Sequence, residues 1–333
     1  MAMISLGDMA QAFLQRRQNV DLKAEVQLRS QELTTGMAMD VGRHVSGDFA
    51  PLAGIDSALA RLRGFTRATS EAAMLTGAMQ TALATVDDVA TTLAPVLFSA
   101  ATSANLGSVS AAAREARQGF DTVVSMYNAR LGDRALFAGN QTAQAPLVGA
   151  DTLLTQMEAA LTGALTLGDI EAALDTWLSD PAGFMTQAYL GGAALADLPI
   201  GPGQTARIDV TATDPAIRET LKGFAMAALL DRGLFAGQSQ TRMQVMRRAG
   251  EVLAEGASSR AQMAGQLGTT EGQIAAASTR NSAEVSALEI ARNGLVSLDP
   301  YAAATKLEAA QSQLEALYTV TARLSRLSLV DYL

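Results

Sequence analysis

Apolar residues recur at heptad spacing near both ends of the chain and predict long helices there. Towards the C-terminus, seven positions follow alternating steps of four and three residues: Ala303, Leu307, Ala310, Leu314, Leu317, Thr321 and Leu324. This spacing is typical of the a/d seam of a coiled coil. Asp299 is a suitable N-cap and Pro300 suits the first helical position, so we expect the helix to begin there. A weaker stripe formed by Leu22, Val26, Arg29 and Leu33 lies in a helical pattern that runs from Met9 to about Thr34.

Two inner helices are predicted between these ends. Over residues 56–99, one row of every seventh position contains Phe65, Ala72, Met79, Val86 and Leu93. Pro95 should kink the last turns of this helix, because proline lacks the N–H that the helix needs. A second helix is predicted over residues 108–131. Because only a short turn separates the two, they should form an antiparallel hairpin, the unit of a helical bundle.

The pattern changes between residues 141 and 214, where glycine and proline divide the chain into short pieces. Residues 207–213, RIDVTAT, alternate between polar and apolar side chains and predict a strand. The sequence Gly201-Pro202-Gly203 is interpreted as a turn. Two near copies, DRALFAG at 133–139 and DRGLFAG at 231–237, are interpreted as helix endings with glycine caps.

Helical periodicity returns at Pro215, with Asp214 as the predicted cap. From Thr241 onward, one row of every seventh residue includes Met246, Leu253, Arg260, Leu267, Ile274, Asn281, Leu288 and Leu295. Glycines at 256, 265, 268 and 272 argue against a single unbroken helix over this row.

These elements predict a mainly α protein. Neither terminal helix can bury its seam alone, so we expect the two to pair. The predicted fold is a long antiparallel helical bundle with paired N- and C-terminal coiled-coil helices and a small inserted β-containing domain. The predicted division is 1–40 with 296–333 as the terminal coiled-coil domain, 41–140 with 215–295 as the helical bundle, and 141–214 as the inserted outer domain.

Composition and charge exclude several classes of function. The net charge of −8 argues against nucleic acid as a partner, and the basic cluster of Arg242, Arg247 and Arg248 has no interleaved aromatic residues. The longest apolar stretch, residues 89–101, is too short to span a bilayer, so no membrane anchor is expected. Asp8 interrupts any signal-peptide pattern. Taken alone, this predicts a cytoplasmic protein or export by a route that uses no cleaved signal.

No constellation of catalytic, cofactor-binding or metal-ligating residues is found in the sequence. The chain has no cysteine and a single histidine, His44, which we interpret as a loop residue rather than a metal ligand. The sequon at Asn140 is attributed to chance. An enzyme would need a pocket within residues 141–214, where the candidates are Trp177, Tyr189, Asp175 and Asp180. We therefore predict that the protein is not an enzyme and needs no cofactor.

Three segments carry a resemblance to a known family. They are LYTVTARLSRLSLVDYL at 317–333, VQLRSQELTTGMAM at 26–39 followed by GRHVSGDFA at 42–50, and DRALFAGNQTAQAP at 133–146. Together they resemble the hook-filament junction family of flagellar hook-associated proteins, which are relatives of flagellin. The resemblance covers almost all of the chain except roughly residues 150–199.

The resemblance implies a structural protein of the bacterial flagellum. Its implied partners are flagellin, the neighbouring hook-associated protein, an export chaperone and further copies of itself in a ring. The implied location is extracellular, after export by the flagellar type III apparatus without a cleaved signal peptide, with termini that order on assembly. We place the subunit interface on the terminal helices, at Leu22, Val26, Leu33, Leu307, Leu314, Leu317, Leu324, Leu327 and Leu329.

Two alternatives remain open on the sequence. The first is flagellin itself, although the LFAGNQT segment, the LSLVDYL ending and the short insertion are not typical of flagellins. The second is a cytoplasmic coiled-coil adaptor that would bind a helix of a soluble partner through its C-terminal rod.

Overall fold

The computed structural model describes residues 6–103 and 105–330, with side chains for 9–10, 13–103 and 105–323. The fold is mainly α, as predicted. Its helices are α1 (Leu6–Thr35), α2 (Val41–His44), α3 (Ala50–Thr102), α4 (Leu106–Tyr127), α5 (Ala150–Ala160), α6 (Leu167–Ser179), α7 (Phe184–Gln187), α8 (Pro215–Asp231), α9 (Ser239–Glu255), α10 (Ala257–Val296) and α11 (Pro300–Val330). The described residues also contain four short strands: β1 (Arg130–Leu131), β2 (Arg134–Ala135), β3 (Leu198–Gly201) and β4 (Gln204–Ala206).

The chain forms two compact units. The terminal unit comprises the chain up to Arg63 and from Ala283 onward, and the central unit comprises Gly64–Ser282. Residues 141–214 lie inside the central unit. The three-part domain division suggested by the sequence therefore stays a prediction.

Helix α8 is the centre of the central unit. It packs against α4 on one side and α9 on another, and nearly all its residues from Ala216 to Leu230 are buried. Asp214 caps its N-terminus as predicted, accepting a hydrogen bond from Ala216 N at 2.9 Å. The core thus forms around a helix that is apolar on almost every face.

The row of every seventh residue from Met246 to Asn281 is buried in the central unit. The helix over this row is interrupted at Gly256, between α9 and α10, which confirms the expected break. The two polar members of the row have partners. Arg260 is 4% exposed and lies 2.7 Å from Asp87 of α3, and Asn281 donates to Ile200 O at 2.8 Å. The seam therefore contains two fixed polar contacts within an apolar packing.

Residues 207–213 are not a strand, so this prediction is wrong. Burial does alternate, with Ile208 and Val210 buried while Arg207 and Asp209 are exposed. Among the described residues, however, this segment pairs with no strand, and the hydroxyl of Thr270 in α10 donates to Arg207 O at 3.3 Å. The alternation therefore reflects an extended segment buried on one side. The neighbouring strands β3 and β4 form the hairpin instead, and its turn includes Gly203 at φ 66°.

One of the two near copies departs from its predicted role. Helix α4 ends at Tyr127, and residues 133–139 enter a hairpin in which Arg134–Ala135 pairs with Arg130–Leu131. Phe137 is buried in the core, and its ring packs edge-on against that of Tyr127, with the ring centroids 5.8 Å apart. The interpretation as a helix ending is therefore wrong here. The second copy does follow the end of α8 at Asp231, as predicted.

One described helix, α3, is long and apolar enough to cross a membrane by length and composition alone. This is weak evidence for a membrane helix, because core helices of soluble proteins satisfy the same criterion. In the central unit, Leu75, Met79 and Val86 of α3 are buried in the hydrophobic core. Their burial accounts for the apolar character of this part of the helix.

Candidate subunit interface

The terminal helices α1 and α11 pack against each other, as expected from their seams. Asp299 caps α11, accepting from Tyr301 N at 2.9 Å. Within the seam, Ala303 and Ala310 are each 3% exposed. The larger seam residues Leu307, Leu314 and Leu317 are only half-buried. One partner helix therefore leaves part of the C-terminal seam uncovered.

The predicted interface residues of α1 lie on the same pairing. Leu22 and Val26 are half-buried, and Leu33 is 38% exposed. Lys23 places its ammonium 5.8 Å from the ring centroid of Tyr318, a cation–π contact between the two helices. The side chains of Leu324, Leu327 and Leu329 lie outside the described residues. The assignment of these positions to contacts with other subunits stays a prediction.

Helix α1 also carries a second apolar stripe, which the sequence analysis missed. Met9, Phe13 and Val20 are 57%, 62% and 65% exposed. Their spacing of four and then seven residues places them on one side of the helix, away from the side that holds Leu22 and Val26. The same spacing rule could have found this stripe in the sequence.

Most of the large apolar side chains that are strongly exposed in the described structure belong to the terminal unit. Beyond α1 they include Ile290 at 73%, Tyr301 at 82% and Val320 at 51% exposure. Across its full sequence this unit carries 11 basic and 13 acidic residues, so it is close to neutral. An apolar surface with little net charge favours association with other molecules.

A hydrogen-bonded junction joins the segment that follows α1 to the connection between α10 and α11. Gly36 ends α1 at φ 68°, and its carbonyl accepts from Leu298 N at 2.9 Å. In return, Ala38 N donates to Val296 O at 2.9 Å. These reciprocal bonds form a small antiparallel bridge. The bridge fixes the position from which each terminal helix continues.

Glu32 is a buried carboxylate beside this junction. It is 4% exposed, and its two oxygens accept from Arg29 Nη1 at 2.8 Å and from Met39 N at 3.2 Å. The hydrogen bond to Glu32 raises the pKa of Arg29 above its ordinary value, so the guanidinium stays charged. The carboxylate thus receives both a charged and a backbone donor.

The loop after α1 serves mainly to end and begin helices. His44 is exposed at the end of α2, where its backbone N–H donates to Asp40 O at 3.1 Å. Asp48 accepts from Ala50 N at 3.0 Å and so begins α3. Ser46 adopts the left-handed conformation, with φ 55°. The segment GRHVSGDFA, one of the three that carry the family resemblance, is therefore a structured connection.

The residues considered for an enzyme have local structural partners. Asp175 pairs with Lys222 at 2.6 Å, Asp180 accepts from Ala182 N at 2.9 Å, and the Tyr189 hydroxyl donates to Gly192 O at 2.6 Å. The Trp177 ring meets that of Phe184 edge-on at 5.9 Å. Within the described residues, no three His, Cys, Asp or Glu side chains gather in a way that could hold a metal ion.

Comparisons with known proteins agree with these features. Residues 253–333 match the family model of the bacterial flagellin C-terminal helical region. Among solved structures, the chain is similar to a Vibrio parahaemolyticus protein assigned as a flagellar hook-associated protein, with a TM-score of 0.51 and 13% identity over 73% of this chain and 95% of that one. No curated protein sequence matches the chain. Residues 253–333 therefore carry a flagellin-type C-terminal helical region, and the chain shares its fold with that protein, in agreement with the resemblance of its motifs.

Proposed function

We propose that this protein is a structural, hook-associated subunit of the bacterial flagellum that joins the hook to the flagellin filament. The observation that carries the proposal is the incompletely covered apolar surface of the terminal unit. The half-buried leucines of α11 and the exposed stripe of α1 both need a further helix to cover them. A protein that works alone in water rarely leaves such surfaces open.

The proposed mechanism is helix packing between subunits. The paired helices leave two apolar surfaces open: the stripe on α1 and the part of the α11 seam that α1 does not cover. If the stripe of one copy packs against the uncovered seam of the next, the contact is heterologous and repeats around an axis. Such contacts build a ring of this protein where the rotation between neighbouring copies closes, and an open helical assembly where it does not. The remaining faces would contact flagellin on one side and a neighbouring hook-associated protein on the other.

This role requires export to the cell surface. The proposed location is the flagellum outside the cell, reached through the flagellar export apparatus without a cleaved signal peptide. An export chaperone would cover the apolar terminal surface before assembly. The exposure of Phe13 and Val20, which favours premature association, supports this part of the proposal.

The filament subunit is the second candidate. The match of residues 253–333 to the flagellin C-terminal region supports it as directly as it supports a junction protein. The DRALFAG segment and the short insertion favour the junction. The two roles differ in copy number and position, so a genetic test separates them.

The test is deletion of the gene in its motile host, with electron microscopy of the cells and immunoblotting of the medium. Hooks without filaments, together with flagellin monomers released into the medium, are expected for a junction protein. Hooks without filaments and without released flagellin would identify the filament subunit. Normal motility would refute both roles and favour the cytoplasmic adaptor.

A second test addresses the surface itself. Phe13→Ser removes an apolar side chain that is 62% exposed in the terminal unit, and Leu165→Ser removes one that is 73% exposed in the central unit. Neither change should alter folding, because both side chains are already largely in water. In the deletion strain, Phe13→Ser should reduce motility while Leu165→Ser should restore it fully. Equal restoration by both variants would contradict the proposed role of the α1 stripe.

A further inference from the structure

The buried carboxylate of Glu32 has a place in the fold that helix packing does not explain. It lies in the last turn of α1 and is 4% exposed. Burial of a carboxylate is costly unless charged or backbone donors replace its water. Arg29 Nη1 and Met39 N are those donors, at 2.8 Å and 3.2 Å.

The backbone donor, Met39 N, shows what the buried carboxylate does for the fold. Met39 lies seven residues after Glu32, beyond the end of α1, so this bond folds the chain back over the helix end. The residue before it, Ala38, donates to Val296 O, and Gly36 accepts from Leu298 N. Holding Met39 therefore also holds the short extended segment that bonds to residues 296–298, which lead into the C-terminal helix.

We propose that Glu32 is a latch that couples the ordering of the N-terminal helix to that of the C-terminal helix. When its carboxylate holds Met39 N, residues 36–38 are positioned to accept and donate the bonds that fix residues 296–298. When the latch is lost, the reciprocal bonds of Ala38 and Leu298 lose their support, and the two helices can separate. The latch concerns the order of the chain ends and does not depend on the assembly role proposed above.

The alternative is that Glu32 only neutralises Arg29. Glu25 provides a comparison, because its carboxylate also bonds Arg29, at 3.4 Å, but its side chain is 46% exposed. The acceptor for Met39 N is the carboxylate of Glu32. Under the alternative, loss of either carboxylate would have similar effects. Under the proposal, only loss of the Glu32 carboxylate, which accepts from Met39 N, should weaken the junction.

The experiment is residue-resolved hydrogen–deuterium exchange on the full chain and its Glu32→Ala, Glu32→Gln and Glu25→Ala variants. In Glu32→Ala, the amides of Met39, Ala38 and Leu298 should exchange about tenfold faster or more, because a buried charged acceptor is lost. Glu32→Gln keeps an oxygen for Met39 N and should give an intermediate increase. Glu25→Ala should exchange like the unaltered chain at these three amides.

Amides of the buried helix α8 serve as the folding control and should exchange alike in every variant. Three results would overturn the latch. The first is acceleration at Met39 alone, with Ala38 and Leu298 unchanged, because the coupling would then be missing. The second is the same acceleration in Glu25→Ala and Glu32→Ala. The third is the lack of any protection at Ala38 and Leu298 in the unaltered chain.

Discussion

The ion pair between Arg260 and Asp87 gives an asymmetric prediction about stability. Its two side chains differ in exposure: that of Arg260 is 4% exposed, whereas that of Asp87 is 49% exposed. Arg260 also donates to Leu253 O at 3.1 Å. Removal of Asp87 would leave a buried charge without its counterion, while removal of Arg260 would leave a carboxylate that water can reach.

The expected free-energy changes follow from that difference. Loss of one partner of a buried pair typically costs about 3–5 kcal/mol when the remaining charge stays buried. Because Leu253 O still accepts from Arg260, we expect Asp87→Asn to destabilise the protein by about 2–4 kcal/mol. Arg260→Met replaces the buried charge with an apolar side chain of similar length and should cost only about 0–2 kcal/mol. The double variant should be no less stable than Arg260→Met alone, because no unpaired buried charge remains.

Urea denaturation followed by circular dichroism measures these differences for all three variants against the unaltered protein. The dependence of the unfolding free energy on urea concentration should be the same in every variant, so differences between the unfolding midpoints report differences in stability. The reasoning would be refuted if Arg260→Met were less stable than Asp87→Asn. It would also fail if the double variant showed the summed loss of the two single variants.

Three further predictions concern the central unit. Gly119→Ala should destabilise by about 1–3 kcal/mol in urea denaturation, because an added Cβ would lie 2.8 Å from the ring of Phe224. Gly77→Ala, whose added Cβ meets no atom within 4 Å, should instead stabilise the helix by roughly 0.5–1 kcal/mol; loss of stability in this control would contradict the packing argument. Burial raises the pKa of Tyr127 above its ordinary value, so the folded state retains a proton that the unfolded state loses, and stability should fall as pH rises above about 10. Absorbance at the tyrosinate band should show this ionisation only with unfolding, and Tyr127→Phe should weaken the alkaline loss; an unchanged alkaline profile in that variant would assign the loss to other groups. Asn281→Leu should cost about 1–3 kcal/mol and speed amide exchange in the β3–β4 hairpin, since its buried hydrogen bond to that hairpin is lost, whereas unchanged exchange would show that the bond does not hold the hairpin.

The helices could be predicted because their period is visible in the sequence. The row from Met246 to Asn281 marks the buried side of α9 and α10 even across the break at Gly256. Asp214 and Asp299 each cap the helix that follows, since a carboxylate at that position can accept the free backbone donors. Local rules sufficed wherever the contacts that stabilise an element lie within that element.

The errors arose where a distant partner decides the structure. Residues 207–213 alternate as a strand would, but among the described residues they pair with no strand. A pattern of burial alone does not reveal whether a hydrogen-bonding strand lies beside a segment. DRALFAG and DRGLFAG have almost the same letters and different structures, because Phe137 packs against Tyr127 in a hairpin whereas the second copy follows the end of α8.

At the candidate interface, the sequence predicted the seam but not the extent to which a partner helix buries it. The seam of α11 was predicted from its period, yet the period does not state how much of the seam one partner covers. The structure shows how much of the α11 seam is covered by α1. Small seam residues such as Ala303 are buried, whereas Leu307 and Leu314 are only half-buried. A helix pair whose larger seam residues stay partly in water has apolar area left for a third helix. The second stripe, with Phe13 at its centre, is an apolar surface of the kind that such a third contact requires, and it is therefore the first place to test for assembly.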